Sequence, residues 1–243
     1  MLFTIKMIVF VSACNQLYIN NWLECYKSIR VCFPESDIHF FDLGCDNPNS
    51  IQKLDKVIYH YFDFSEYPEW VHINSKPVGQ WAWKSVCVKK IKNILILEGK
   101  SDTTLIWSDS ANIFSKISVR LDGLCKRNGL FSNYTSGSVE TWTIDQTIDL
   151  LDADKFRKLQ MRNAAYIGFY LGIPWVSDFI DEWELCCINK EIIAPFGSDR
   201  SNHRQDQSVL TILYYRYSEI YKFNTDHIDC GVLIHQKQPE RSY

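Results

Sequence analysis

The chain has 243 residues, 46% hydrophobic, 14% aromatic and 23% charged, with a net charge of −3. These proportions exclude a disordered, collagen-like or coiled-coil chain, and the slight acidity argues against a dedicated duplex-DNA binder. A chain this long buries roughly 70–75% of its extended surface, so one domain spanning 1–243 is expected to fold without staples. The nine cysteines are odd in number and none is spaced C-x-x-C. That spacing speaks against a zinc ribbon, a redox centre or a paired disulfide framework, and for buried thiols in a reducing, cytoplasmic setting.

In chain order, residues 4–13 read as a first buried strand, β-branched and aromatic, running into a polar loop. Met7 to Cys14 also resembles a short signal peptide ending at a cysteine, but Lys6 interrupts the apolar run and the strand fits better. A helix over 16–32 gathers Tyr18, Trp22, Cys25, Tyr26, Ile29 and Phe33 on one face, and Pro34 follows its end. Residues 37–43 and 56–62 read as strands two and three. A loop rich in Tyr, Pro and Trp covers 64–82, and a helix over 83–97 points Trp83, Cys87, Ile91, Ile94 and Leu95 inward. Residues 103–108 are continuously apolar, as a central strand of a parallel sheet requires. The second half is less regular: an amphipathic helix begins at Pro174, another covers 205–217, and an apolar strand over 228–234 ends at His235. No segment has the roughly 20 apolar residues of a membrane span.

Alternating strands and helices predict an α/β fold, a mainly parallel open sheet with helices on both faces. Such sheets bind ligands at the carboxyl ends of their strands, so the loops after strands one, two and four are the candidate sites. Asp109 stands directly after the apolar strand 103–108. It suits a divalent cation or a ribose hydroxyl, and equally an ordinary turn. Lys84 in a first helical turn opposes the helix dipole; it is either a diphosphate contact or a solvated lysine between two core tryptophans. His203-Arg204-Gln205-Asp206-Gln207-Ser208 opens a helix with polar residues, where Asp206 is either a cap or part of a surface that reads hydroxyls. His235 is an unremarkable strand-end histidine or a metal ligand. Neither G-x-G-x-x-G after the first strand nor G-x-x-x-x-G-K-[ST] occurs, which weighs against a dehydrogenase or P-loop hydrolase.

Five stretches, Phe40-Phe-Asp-Leu-Gly44, Phe64-Ser-Glu-Tyr-Pro68, Trp81-Ala-Trp-Lys84, Leu105-Ile-Trp-Ser-Asp-Ser110 and His203-Arg-Gln-Asp-Gln-Ser208, resemble in type and order an uncharacterised group of glycosyltransferase-like proteins with the GT-A fold. Two departures stand out. Ser85 replaces a proline often found after the Trp-Lys pair, and Asp109-Ser110-Ala111 lacks the second carboxylate of the usual Asp-x-Asp; Asn112 is the nearest substitute.

The resemblance implies a glycosyltransferase moving a sugar from a nucleotide-diphosphate donor to a hydroxyl of a glycan or other acceptor, with no nucleic acid partner and no transmembrane segment. About 1–112 would form the nucleotide-sugar half, with Ser12, Asp42, Lys84 and Asp109 on the donor. About 113–243 would form the acceptor half, with His203, Arg204 and Gln207 facing the acceptor and Asp206 as base. Mn²⁺ or Mg²⁺ would sit on Asp109 and His235, with metal-independent binding the other option. Trp81, Trp83 and Trp142 would offer apolar faces to a sugar or pack in the core. A binding module without turnover is the alternative function.

Overall fold

A computed structural model describes residues 7–235; positions 4–6 of the expected first strand lie outside them. The first half alternates as the sequence pattern predicts: β1 (Met7–Cys14), α1 (Ile19–Cys32), β2 (Asp37–Asp42), α2 (Pro48–Gln52), β3 (Val57–Tyr61), α3 (Trp83–Leu97) and β4 (Thr103–Ser108). The second half starts with β5 (Ile113–Phe114), α4 (Arg120–Asn128), β6 (Leu130–Phe131), β7 (Tyr134–Ser138), α5 (Val139–Trp142) and α6 (Asp145–Leu150). It ends with β8 (Gln160–Arg162), β9 (Tyr166–Tyr170), α7 (Pro174–Cys187), α8 (Lys190–Ile193), α9 (Gln205–Tyr221) and β10 (Val232–Leu233).

Six strands form the main sheet in the order β3-β2-β1-β4-β9-β6. β1 lies at its centre, parallel to β2 and β4, with Val11 opposite both His39 and Trp107. β9 alone is reversed: it pairs antiparallel with β4 and with β6. The period-2 alternation of β1 splits the core. Val9, Val11 and Ala13 face α3, α7 and α9, whereas Phe10 and Cys14 face α1 and α4. Helices therefore cover both faces, as a buried parallel sheet requires.

Two expectations need correction. The run at 166–170 is a sheet strand that the periodicity did not single out. The strand expected over 228–234 shrinks to Val232–Leu233, which pairs antiparallel with β5; Gly231, at φ 61, turns the chain just before it. All nine cysteines are thiols, and no described helix is long and apolar enough to cross a membrane.

Candidate active site

Three element ends meet at the carboxyl edge of the sheet. β4 delivers Asp109 one residue past its end, α3 delivers Lys84 in its first turn, and α9 delivers Asp206 in its first turn. The Lys84 side chain is 4% exposed; its Nζ lies 3.1 Å from Asp109 Oδ1 and 2.9 Å from Asp206 Oδ2. It also donates to the Ala164 carbonyl at 3.0 Å. Burial opposes the ammonium's charge, but Asp109 and Asp206 outweigh burial and hold its pKa above the ordinary value. Burial pushes the Asp206 carboxyl above its ordinary range; Lys84 pulls it part of the way back, and Asp109 adds to the rise. Lys84 is thus not a solvated lysine, and Asp206 does not cap its helix: α9 has no side-chain cap, and the Asp206 carboxylate serves the ammonium instead.

Asp109 is held from behind. Its Oδ1 accepts the Trp107 indole N–H at 2.8 Å, and its own N–H donates to the Ala165 carbonyl at 2.7 Å. Its side chain is 25% exposed, toward two adjoining cavities.

One cavity, about 570 Å³, is mainly apolar and is lined by Ala13, Cys14, Tyr18, Leu43, Ile73 and Val78 among others. The second, about 450 Å³, is polar and is lined by Lys84, Asp206, Arg200, Arg204, Gln207 and His235 among others. Trp81 and Asp109 line both cavities, so the two form one cleft along the strand ends.

Trp81 reaches this junction through an unusual backbone. Val78, Gly79, Gln80 and Trp81 all have positive φ, at 49°, 57°, 54° and 57°. The left-handed region costs an L-residue roughly 1–2 kcal/mol, and three of these four carry a β-carbon. Gly79 is obligatory: a Cβ there would lie 2.0 Å from the Val71 carbonyl oxygen. The turn is pinned by Gln80 N–H on the Pro77 carbonyl at 2.8 Å and by the Trp83 indole N–H on the Val78 carbonyl at 3.3 Å.

The structure sorts the remaining candidates. Asp42 is committed to its own loop: Oδ1 accepts Gly44 and Cys45 N–H, each at 2.7 Å, and Oδ2 accepts the Tyr59 hydroxyl at 2.5 Å. Ser12 is fully buried in the sheet. Neither lines the cleft. His203 is also fully buried, with one ring nitrogen 2.9 Å from the Ile193 carbonyl; it anchors the loop before α9. Arg204 and Gln207 do line the polar cavity, and the Arg204 guanidinium stacks 3.7 Å over Trp142. Asn112 is turned inward, donating to the Ala165 carbonyl at 2.7 Å, so it does not stand in for a second carboxylate.

Sequence reasoning missed Arg200, which lies 4.8 Å over the Trp81 ring, and the Ala164 and Ala165 carbonyls. Arg200 carries a faint signal, a second arginine four positions before Arg204 in a polar loop. A backbone carbonyl carries none.

A divalent cation finds half a site here. Asp109 and His235 share the polar cavity, but no group of three or more His, Cys, Asp or Glu side chains able to hold a metal exists among the described residues. One carboxylate with an imidazole fits a cation whose remaining ligands are donor phosphates and water, the usual manner of Mg²⁺ with phosphate substrates.

This architecture is shared with solved glycosyltransferases. The chain is similar to galactosyltransferase LgtC in complex with donor and acceptor sugar analogs, at 13% identity and a TM-score of 0.55, covering 92% of this chain and 85% of that one. An active-site mutant of LgtC matches at 15% identity and a TM-score of 0.58, over 95% of this chain and 88% of that one. The bifunctional glycosyltransferase WbbM matches at 11% identity and 0.55, over 92% of this chain and 39% of that one. The fold is of GT-A type. A family model described as "Protein of unknown function (DUF1647)" matches residues 4–88, and no curated protein matches the sequence. On the GT-A sheet the 4–88 stretch spans β1 to the first turn of α3, including Lys84 but neither of its carboxylate partners.

Proposed function

We propose that the protein is a glycosyltransferase that moves a sugar from a nucleotide-diphosphate donor to an acceptor hydroxyl. The observation that carries this reading is the buried ammonium of Lys84 shared between Asp206 and Asp109, in a polar cavity that Asp109 and Trp81 join to an apolar one. The nucleoside occupies the apolar cavity, and the diphosphate lies along the junction, within reach of Lys84 and the guanidinium-lined wall. The acceptor enters the polar cavity. Its oxygen forms the new bond to the anomeric carbon, the bond from that carbon to the diphosphate breaks, and the acceptor proton passes to Asp206. Burial raises the basicity of that carboxylate, and a positioned base contributes typically 10²–10⁴-fold. Lys84 fixes the carboxylate's orientation, and Arg200 and Arg204 offset the negative charge that grows on the departing diphosphate. Asp109 and His235 would hold a divalent cation, which when bound supplies Lewis-acid neutralisation of the same charge.

The missing second carboxylate at Ala111 favours a second reading, a binding module that holds a nucleotide or glycan without turnover. One variant separates the two. Asp206→Asn keeps the shape and removes the base. A loss of transfer or donor-hydrolysis rate of 100-fold or more, measured well below the variant's melting transition and with calorimetric donor affinity near wild type, supports the transferase. Wild-type binding of nucleotide diphosphates without turnover across donors, with and without Mn²⁺, supports the module.

A further inference from the structure

We propose that Trp81 is the platform on which the transferred sugar ring lies, and that the left-handed turn Val78–Trp81 exists to present it. The inference rests on the reading of the cleft as a nucleotide-sugar site. Trp81 and Asp109 are the two residues common to both cavities. The group joining a nucleoside on one side to Asp206 on the other is the donor sugar, so it passes over this indole. A sugar ring has hydroxyls at its rim and C–H bonds on its faces, and a half-exposed indole offers the matching surface, a flat apolar face with a polar edge.

The neighbouring tryptophans are otherwise engaged. Trp107 is fully buried and Trp83 is 6% exposed, and Trp142 lines neither cavity. Trp81 is half-buried, and Arg200 stacked over its ring fixes its plane while also facing the polar cavity. Trp81 packs against the hydrophobic core and lines both cavities. Successive left-handed residues persist only where the surroundings over-determine them, and such outliers gather at ligand sites. Here Gly79 against Val71 and the Trp83 indole on Val78 supply that over-determination.

The test is calorimetry with UDP and GDP against UDP-glucose, UDP-galactose and GDP-mannose, on wild type, Trp81→Ala and Trp81→Phe. The expected result is that Trp81→Ala weakens binding of the sugar conjugate at least tenfold more than it weakens binding of the bare nucleotide diphosphate. Trp81→Phe should recover most of the loss. Should Trp81→Ala melt early, Trp81→Leu, which keeps apolar bulk without the flat ring, carries the same comparison. Equal losses for the nucleotide and its conjugate, or no loss for either, overturn the proposal and leave the reading of the cleft standing. So does a wild type for which no sugar adds affinity. A wild type that binds none of the five ligands overturns the reading of the cleft, and this proposal with it.

Discussion

The two ends of the cleft are built by different rules. The apolar end rests on strand ends and the loops just after them, with Ala13 and Cys14 ending β1 and Leu43 following β2. Its loops are tied by backbone bonds, Leu43 N–H to the Cys14 carbonyl at 3.0 Å and Gln16 N–H to the Gly44 carbonyl at 2.9 Å. The polar end is assembled from two helix starts and one reversed strand, and its coherence is electrostatic: a single ammonium holds two carboxylates. The apolar end tolerates change through shape and area. The polar end depends on charges that have been removed from water, where losing one partner strands the others.

The largest expected effect falls on the polar end. Lys84→Met leaves Asp109 and Asp206 without the ammonium they share, with Arg200 the remaining cation acting on Asp206, and breaking a buried pair this way costs about 3–5 kcal/mol. Urea denaturation at pH 7 measures it. The loss should shrink as pH falls and Asp206 becomes protonated; a loss that is the same at pH 5 and pH 7 would mean that the carboxylates are not what the lysine serves.

Next comes acid sensitivity, which both regions of the sheet share. Burial drives His203 down to about 4. Burial and then the charge of His60 drive His39 down to about 4. Both histidines are neutral in the fold at pH 7. Their stabilising contribution is complete above the unfolded value near 6.5 and is lost as pH falls toward 4, because the unfolded chain takes up protons that the native one refuses. The span of about 2.5 units corresponds to about 3 kcal/mol for each histidine. His203→Gln should flatten the fall in stability between pH 6.5 and 4 by about one proton; an unchanged slope would remove His203 from the account.

The apolar end should answer more mildly. Tyr18→Ala removes part of an aromatic wall of that cavity, and a loss of about tenfold in nucleotide diphosphate affinity, about 1.4 kcal/mol, is expected with the melting temperature nearly unchanged. The smallest effect concerns the cation. If, as proposed, the protein offers a cation only Asp109 and His235, Mn²⁺ alone should barely move the melting temperature, and Mn²⁺ with UDP should move it further than UDP alone. A shift of several degrees from Mn²⁺ by itself would show that the polar end is a complete metal site.

The same contrast explains what was legible in the sequence. The limits of α3 and β4 match the expected 83–97 and 103–108, because an amphipathic run and a continuous apolar run carry their own periodicity. β9 was missed because Tyr166-Ile-Gly-Phe-Tyr170 is only five residues long and has a glycine at its centre, which weakens a strand pattern. Lys84, Asp109 and Asp206 each drew attention for a local reason: a cation against a dipole, a carboxylate after a buried strand, a polar helix start. That one ammonium joins them is a fact of tertiary structure, and no window along the chain contains it. Ser12 and His203 failed as cleft residues for the converse reason. A hydroxyl or imidazole at an element's end reads the same whether it faces the ligand or the core.

The reversal of β9 also sets an order of events during synthesis. Every residue lining the apolar cavity lies within the first 111 positions, and N-terminal segments emerge and organise first. The polar cavity waits for Ala164, a carbonyl that Lys84 reaches across 80 positions of chain, and then for Asp206. A growing chain that has passed β4 already contains every residue that lines the apolar cavity, while the lining of the polar cavity is complete only with His235. On the proposed reading, turnover therefore draws on residues from the whole length of the chain, whereas the side chains that line the nucleotide all come from its first half.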